Sequence, residues 1–321
     1  MSAETPLVRL SIGGMPVAGV VAVEVESVGY FAADRFSVIC ALAGQIGYFA
    51  ALGKQDVTLE VAADGVGFVP LLVGQLDHVR LDVARNEVVL AGRDLAARLI
   101  DAEIAKTFAN QTASEIAETL AGRHGLAANV TATSTPVGQY YELDHARSAL
   151  AMHARSTTEW GLLVQLAQAE GFAAWVSGEV LNFGPWPQGV PMLVTPANFS
   201  ALTFDVINVL PGAVTVKSWN SRNKAVVSQS QGTGAGTTLV RPNLTAAQAT
   251  AAAAAQLAAL GQHQVVMSAT MPGDVTLRPG MTLALAGTGS ALDQSYAVEG
   301  VTRRLIAARG FEQQVTAYAV N

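Results

Sequence analysis

Histidine is the residue type whose spacing first suggests chemistry, because imidazole binds metals and transfers protons near neutral pH. His145 and His153 occur in two copies of the word His-Ala-Arg-Ser. If this segment is helical, the eight-residue step separates them by roughly 12 Å, which is too far for one metal ion. His78, His124 and His263 stand alone. The histidines are therefore predicted to be structural, and no metal site is expected.

Paired carboxylates are the next candidates, because glycan-cleaving enzymes need two of them facing each other across a sugar. Glu24 and Glu26 fall on the solvent side of a predicted strand, and Glu115 and Glu159 have the positions of helix-capping residues. Asp94 could pair with the preceding arginine or begin a helix. None of them stands in an apolar setting that would raise its pKa for acid catalysis. No catalytic residue is predicted.

Signatures of nucleotide binding, hydrolysis and redox chemistry are missing. The sequence contains no G-x-S-x-G elbow, H-E-x-x-H helix or phosphate-binding loop. The glycine cluster at 232–236 lacks the Lys-Ser/Thr of a phosphate loop and is predicted to be a flexible loop. Cys40 is the single cysteine, so an intrachain disulfide and a cysteine-based zinc site are excluded. It is predicted to be a core residue, and no cofactor-binding residue is expected.

Aromatic residues make up only 6% of the chain. The four tryptophans fall in predicted helices or strands: Trp160, Trp175, Trp186 and Trp219. A platform for stacking nucleic-acid bases would need interleaved basic residues, which are absent. These side chains are expected in the core or in a subunit interface.

Composition points to a subunit of an assembly. Half of the 321 residues are hydrophobic, only 14% are charged and the mean hydropathy is +0.34, whereas about a quarter of a typical soluble protein is charged. A membrane protein would explain these values, but no window approaches the roughly 20 apolar residues of a spanning helix. No membrane anchor is predicted, and a subunit that buries much of its surface against neighbours is the favoured alternative.

Charge and the N-terminus limit the partners and the compartment. The formal net charge of −6 disfavours a reader of duplex DNA, which would carry a basic surface. Residues 1–4 lack the charged and apolar regions of a secretory signal. Assembly in the cytoplasm is therefore expected.

Residues 1–93 are predicted to form a compact antiparallel β-barrel or sandwich of about six strands, since closure removes exposed edges. Valines 21, 23 and 25 alternate with Ala and Glu, the pattern of a half-buried strand. A hairpin is predicted over residues 81–90. One short helix, over 46–52 and ended by Gly53, interrupts the strands.

Residues 94–196 are predicted to be an α/β domain. Helices over about 94–100 and 112–124, a strand at 129–133, a second long helix and a hairpin over 172–183 follow one another. Three helices of the chain show the spacing of a capping box, in which a hydroxyl and a carboxylate or amide bind the free backbone N–H groups. The pairs are Thr112 with Glu115, Ser156 with Glu159, and Thr245 with Gln248, and the predicted terminating glycines are Gly125, Gly171 and Gly261.

Residues 197–321 return to β structure, with one alanine-rich helix near 245–260. Strands are predicted at 201–210, 213–218, 225–230, 265–270, 282–286, 296–305 and 311–320, with a flexible loop at 231–236. A type II turn is expected at 278–281, because Pro precedes Gly there. The fold class is thus mainly β with an α/β insertion. Its two strand-rich ends, each crossed by a helix, are expected to superimpose as related barrels.

Four groups of sequence words carry a family resemblance through their order and spacing. They are residues 88–96 (VVLAGRDLA), residues 108–116 (FANQTASEI), residues 159–163 with 171–172, and residues 271–274 with 277–280. Read together, they resemble the late control gene D family of contractile-tailed phages, the trimeric baseplate hub proteins. That family is also similar to the N-terminal part of the type VI secretion spike. The resemblance covers nearly the whole chain.

The resemblance implies a structural protein and not an enzyme. Two tail-tube-like antiparallel β-barrels per chain, here 1–93 and 197–321, would give a homotrimer six barrels that match the sixfold tube above and the threefold spike below. The smaller domain 94–196 would decorate this ring. The implied partners are the tail tube protein, the central spike protein, other baseplate proteins and the tape measure protein. The implied location is the virion, in the tail baseplate, after assembly in the host cytoplasm.

Three alternatives remain at this stage. A tail-associated peptidoglycan-cleaving enzyme would show turnover, a type VI secretion spike component would act in secretion, and a monomeric binding module would not trimerise. The chain shows no appended oligosaccharide-binding fold, lysozyme or β-helix spike, which favours a phage or phage-like particle. DNA is expected to pass through the lumen without specific binding, along a neutral or acidic wall.

Overall fold

Alternating apolar residues build most of this protein. A computed structural model describes residues 8–29, 31–63, 67–104, 108, 110–134, 136–137, 157–187, 189–207, 212–220, 224–241, 244–262, 264–306 and 310–320. One largely antiparallel sheet of 13 strands and two three-stranded sheets account for the β structure. The predicted fold class, mainly β with an α/β insertion, is confirmed.

Seven strands and a short helix form the first end of the chain. They are β1 (Val8–Ile12), β2 (Met15–Val17), β3 (Val20–Val28), β4 (Arg35–Ala41), α1 (Ile46–Ala50), β5 (Asp56–Ala63), β6 (Gly67–Asp82) and β7 (Glu87–Asp94). Their order in the sheet is β3-β4-β7-β6-β5-β1-β2, with every neighbouring pair antiparallel. The inward side chains of alternate positions, including Val23, Val25 and Cys40, make one apolar core. Cys40 is therefore a core residue, as predicted.

Two details at this end differ from the prediction. Helix α1 stops before Ala51, without reaching Gly53, and Phe49 on it is buried against β6. Val21 is 45% exposed and does not follow Val23 into the core. The pairing of β3 with β4 slips by one residue at this position, and a bulge of this kind reorients the extra side chain.

The middle of the chain forms a small α/β layer. Its elements are α2 (Ala97–Ile100), α3 (Ala113–Arg123), β8 (Ala127–Val130), α4 (Glu159–Glu170), β9 (Ala173–Ser177) and β10 (Val180–Gly184). The strands form a sheet in the order β8-β10-β9. Ile116 and Leu120 of α3 pack with Leu163 and Leu166 of α4 in a core of their own. The predicted hairpin lies at β9–β10, with Gly178 at φ +58°.

The helix ends test the predicted caps one by one. Helix α3 has the full Thr112–Glu115 capping box and ends before Gly125, at φ +68°. The N-cap of α4 is Thr158, whose Oγ1 accepts from the Gly161 N–H at 3.1 Å. Ser156 lies outside the described residues. Helix α4 ends at the left-handed Gly171, as predicted.

The second end of the chain adds strands to the large sheet. They are β11 (Met192–Val194), β12 (Ala201–Val206), β16 (Val265–Pro272), β17 (Thr282–Leu285), β18 (Ser295–Ile306) and β19 (Gly310–Ala319). The order is β12-β16-β19-β18, with β17 on β18 and β11 parallel to β17. The turn at 278–281 carries Gly280 at φ +83° and a hydrogen bond from the Met281 N–H to the Arg278 carbonyl, 3.2 Å, consistent with the predicted type II turn.

A separate unit is inserted between β12 and β16. It contains β13 (Ala213–Asn220), β14 (Ala225–Gly232), β15 (Gly236–Val240) and α5 (Ala246–Gln262). We call the sheet β14-β13-β15 the small mixed sheet, because β13 is antiparallel to β14 and parallel to β15. Helix α5 packs on β13 and β14 around Val214, Val216, Ala249 and Ala253.

This unit corrects three predictions. Helix α5 lies on the small mixed sheet and does not cross the large one. The loop expected at 231–236 is confined to 233–235, because its flanks belong to β14 and β15. Gly261 lies inside α5 and does not terminate it. The capping pair at its start is confirmed, since the Gln248 N–H donates to Thr245 Oγ1 at 3.3 Å and the Thr245 N–H donates to Gln248 Oε1 at 2.9 Å.

The two ends of the chain are joined by the pairing of β3 with β18. These strands run antiparallel from Ala22 opposite Ile306 to Val28 opposite Gly300. The two strand-rich ends, which are expected to form related barrels, therefore share one continuous sheet. The alternation of apolar residues predicts which face of a strand is buried, but it does not predict the partner strand.

Candidate functional site

The join between β3 and β18 brings together charged side chains that are far apart in sequence. Glu24 lies directly opposite Arg304, and Arg304 Nε donates to Glu24 Oε2 at 2.6 Å on the outer face. Both side chains are nearly half exposed, so water screens the pair and its contribution is small. Arg303, the preceding residue, points to the opposite face of the sheet.

Arg303 is a buried cation, only 3% exposed. Its guanidinium donates to the backbone carbonyl of Asp274 at 3.2 Å and also to that of Leu277, both in the segment that follows β16. Burial lowers the pKa of Arg303, whereas the nearby carboxyl of Asp34 favours the charged form. Arg303 thus holds the segment after β16 against the sheet.

The carboxyl group of Asp34 lies near this cation, and Asp94 is in turn next to Asp34, since its N–H donates to the Asp34 carbonyl at 2.9 Å. Asp34 accepts from the backbone N–H of Val28 at 3.2 Å, and Asp94 accepts from that of Ala96 at 3.0 Å. Burial raises the pKa of Asp34 to about 6, against the opposing effect of hydrogen bonds from Ser27 and Val28. Burial, followed by the neighbouring Asp34 charge, raises the pKa of Asp94 to about 8. Burial and the neighbouring charge therefore both favour the protonated form of Asp94.

This pair corrects the expectation that no carboxylate has a raised pKa. Asp94 is 7% exposed, and Leu95, Ala96 and Ala97 after it are buried, the first two of them in the middle core. That run of apolar residues directly after an aspartate was the available sequence signal. The burial of Asp34 could not be predicted from its neighbours in the sequence, because it depends on segments that are distant along the chain.

Arg93 and Asp94 do not pair with each other, as one sequence interpretation allowed. Arg93 points to the other side of β7, where its Nε donates to Asp77 Oδ2 at 2.6 Å and its Nη1 to Asp101 Oδ1 at 3.1 Å. Lys54 also binds Asp101, at 3.1 Å. These ion pairs connect β6, β7 and the start of the middle layer.

Glu159 has a different role from the predicted cap. Its carboxylate is 2% exposed and binds Arg123 Nη1 and, at 2.5 Å, His124 Nε2. Both partners lie at the C-terminal end of α3. Glu159 therefore ties the end of α3 to the start of α4, and sequence spacing alone could not distinguish this from capping.

A groove of about 540 Å³ lies between α1 and β6, with Lys54, Asp77 and His78 on its walls. Lys54 and Asp77 are already bound in the ion pairs with Asp101 and Arg93. Among the described residues, no cluster of three His, Cys, Asp or Glu could hold a metal ion. His145, His153 and His263 lie outside the described residues.

Exposed apolar side chains form the other candidate functional feature. They are Val190, Leu193, Val240, Val226, Met15, Val83, Trp219 and Val206, each more than half exposed. Trp160 is buried, at 5% exposed, whereas Trp175 and Trp186 are partly buried with their rings 4.4 Å apart. Within the part of the chain that the structure describes, no helix is long and apolar enough to span a membrane.

The sequence matches no protein-family model and no curated protein. Its fold, however, is similar to solved structures over almost the whole chain. A tail protein from Neisseria meningitidis MC58 has a TM-score of 0.74 and 17% identity, covering 98% of this chain and 97% of that one. The 43 kDa tail protein of prophage MuSo2 from Shewanella oneidensis has a TM-score of 0.74 and 15% identity, covering 98% of both chains.

A third similar structure comes from a secretion system. It is the E. coli c3393 protein, described as a component of the type VI secretion system with structural similarity to bacteriophage T4 tail proteins. Its TM-score is 0.62 at 13% identity, and the match covers 97% of this chain and 77% of that one. This chain therefore has a fold found in phage tail proteins and in a component of a type VI secretion system.

Proposed function

We propose that this protein is the structural baseplate hub of a contractile phage tail or phage-like particle. The observation that carries the proposal is the similarity of fold to two tail proteins, one of them from a prophage, over 98% of this chain. A match of this extent includes the middle layer and both ends of the large sheet.

The hub is a homotrimer that adapts the sixfold tail tube to the threefold central spike. Each chain supplies two tube-like barrels, from residues 1–93 and 197–321, which are joined through the pairing of β3 with β18, and residues 94–196 form the domain between them. In support, β2 and β12 are edge strands of the described sheet, and free strand edges are templates for pairing with another chain. The partners are the tube protein, the spike protein, other baseplate proteins and the tape measure protein, and the location is the tail baseplate.

The trimer forms part of the channel through which DNA leaves the particle. The chain has 25 Asp and Glu against 19 Lys and Arg, and an acidic or neutral wall would not retain phosphate groups. An electrostatic map of the assembled ring tests this point, and a continuous Lys/Arg band along the bore would contradict it.

The protein acts without catalysis. In support, Asp77, Asp101 and Glu159 are held in ion pairs, and Asp34 and Asp94 accept hydrogen bonds from the main chain. A peptidoglycan-cleaving tail enzyme is the opposing alternative. Incubation of purified protein with peptidoglycan is expected to release no soluble fragments.

A component of a type VI secretion spike is the second candidate, favoured by the similarity to the E. coli protein. Mass measurement by light scattering and electron cryo-microscopy of particles test the main proposal. We expect a trimer in solution and threefold density between tube and spike. A protein that stays monomeric at micromolar concentration and forms no trimer in particles would contradict the hub function.

A further inference from the structure

The small mixed sheet has one covered and one open face. Helix α5 covers the face that carries Val214, Val216 and Ser218, all of which are at most 1% exposed. Ser218 Oγ on this face accepts from the Leu244 N–H at 2.8 Å, just before α5. The alternate residues of β13 point the other way.

At one end of the strands, the open face carries exposed apolar side chains and a lysine. Trp219 lies opposite Val226, and Lys217 lies opposite Val240. Residues opposite each other, and residues two apart on one strand, share a face. Trp219, Val226 and Val240 are 54%, 66% and 74% exposed. We call these four residues the Trp219 patch.

The rest of this face is polar. Toward the other end of the strands, the hydroxyls of Thr215 and Ser230 hydrogen bond each other at 2.7 Å. The Trp219 patch is therefore confined to one end of the open face. Hydroxyl-bearing residues occupy the other end.

The charge of this region is opposite to that of the rest of the chain. Residues 206–273 contain four of the 19 Lys and Arg and none of the 25 Asp and Glu. The remaining residues therefore hold 15 basic and 25 acidic side chains, a formal net charge of −10. A cationic unit is thus attached to an acidic body.

The cations near the Trp219 patch are available for a partner. Lys224 directly precedes β14, and Arg241 directly follows β15, with its N–H bound to the Lys217 carbonyl at 3.0 Å. The side chains of Lys217, Lys224 and Arg241 are all exposed. Within the described residues, none of the three forms an ion pair.

We propose that the Trp219 patch binds the acidic body of an adjacent copy of this chain. This inference rests on the proposed trimer and assigns one of its contacts. The contact is heterologous, because unlike surfaces meet, and a contact of that kind closes into a ring under threefold symmetry.

Charge complementarity selects the second copy as the occupant. The opposite signs attract two copies before contact and orient their encounter. The exposed Trp then supplies the large buried area that typically dominates an interface, with the cations at its rim. A nucleic acid is disfavoured, because a phosphate-binding surface needs a denser row of cations than this apolar patch offers.

The test compares trimer dissociation constants from sedimentation equilibrium for the full chain and four variants. Trp219→Ser removes the large apolar side chain of the patch, and Lys224→Glu reverses one of the charges near it. Leu193→Ser and Arg85→Glu are matched controls, since Leu193 on β11 and the Arg85 side chain in the turn between β6 and β7 are 83% and 77% exposed. Thermal unfolding establishes that every variant is folded.

We expect Trp219→Ser and Lys224→Glu each to weaken trimerisation by about tenfold or more, whereas the controls change it by less than about threefold. Raising NaCl from about 0.05 to about 0.5 M should weaken the wild-type trimer more than the Lys224→Glu trimer.

Three results would overturn the inference, and they are distinguishable. If the wild type is a trimer and Trp219→Ser and Lys224→Glu have the same trimer dissociation constant as the wild type, the patch is not a subunit contact. The hub proposal then stands. Loss of particle incorporation with an unchanged trimer would likewise assign the patch to a different protein. If the wild type is monomeric, both the proposed trimer and this contact are contradicted.

Discussion

Glu24 and Arg304 are 280 positions apart in the sequence, yet Arg304 Nε donates to Glu24 Oε2 at 2.6 Å. The pair lies on the outer face of the two strands that join the ends of the chain. Directly behind it, on the inner face, Arg303 binds the carbonyls of Asp274 and Leu277. Two adjacent arginines on one strand therefore have different energetic roles.

We expect Arg303→Leu to destabilise the fold by about 3 kcal/mol or more, because a buried carbonyl and a part-buried one lose their donor and Asp34 loses a nearby cation. Arg304→Ala should cost less than about 1 kcal/mol, since its ion pair is exposed. Urea unfolding of both variants measures the difference. Equal losses would show that Arg303 is not the connection between β18 and the segment after β16.

Stability should fall as pH rises from about 4 to 8. The folded pKa of Asp94 is raised to about 8, whereas an unfolded aspartate titrates near 3.9. Between these values the folded state binds more protons than the unfolded state, so deprotonation favours unfolding. Asp34, with a folded pKa of about 6, acts in the same direction below pH 6.

Asp94→Asn keeps an acceptor for the Ala96 N–H and removes the charge. Relative to the wild type, the free energy of unfolding should change little near pH 5 and increase near pH 8. The plot of this free energy against pH should therefore be flatter for the variant. Asp205→Asn is the control, because Asp205 is exposed on the edge strand β12. A profile for Asp94→Asn as steep as that of the wild type would contradict the raised pKa.

Gly280→Ala should destabilise the protein more than Gly289→Ala. Both glycines have positive φ, +83° and +69°, which costs a non-glycine residue about 1 kcal/mol or more. A Cβ on Gly280 would also overlap the Trp186 ring, whereas a Cβ on Gly289 meets nothing within 4 Å. Melting temperatures of the two variants test this. Similar values would mean that Trp186 does not pack over the turn at 278–281.

Glu159→Gln should cost about 2–4 kcal/mol, because it leaves Arg123 and His124 without their buried carboxylate. Glu115→Gln is the matched control. Its side chain accepts from the Thr112 N–H in an exposed capping box, which glutamine also supports, so the loss should be below about 1 kcal/mol. Chemical denaturation distinguishes the two, and a small effect at Glu159 would restore its interpretation as a cap.

The sequence by itself determined the elements whose signals are local. The boxes at Thr112–Glu115 and Thr245–Gln248, the left-handed Gly125 and Gly171 and the hairpin at β9–β10 depend on neighbours within a few residues. Strand alternation likewise predicted which side chains of β3 enter the core, apart from the bulged Val21. For these features the interacting atoms are close along the chain, so spacing is sufficient.

Only the tertiary structure decided the features that depend on distant contacts. The pairing of β3 with β18 joins residues nearly 300 positions apart, and a period of two does not specify a partner. Helix α5 lies on the small mixed sheet because its alanines fit Val214 and Val216 there, a fit that its own sequence does not encode. The raised pKa values of Asp34 and Asp94 and the ion pairs of Glu159 arise from burial by other segments, since desolvation depends on the surroundings in space and not on neighbours in sequence.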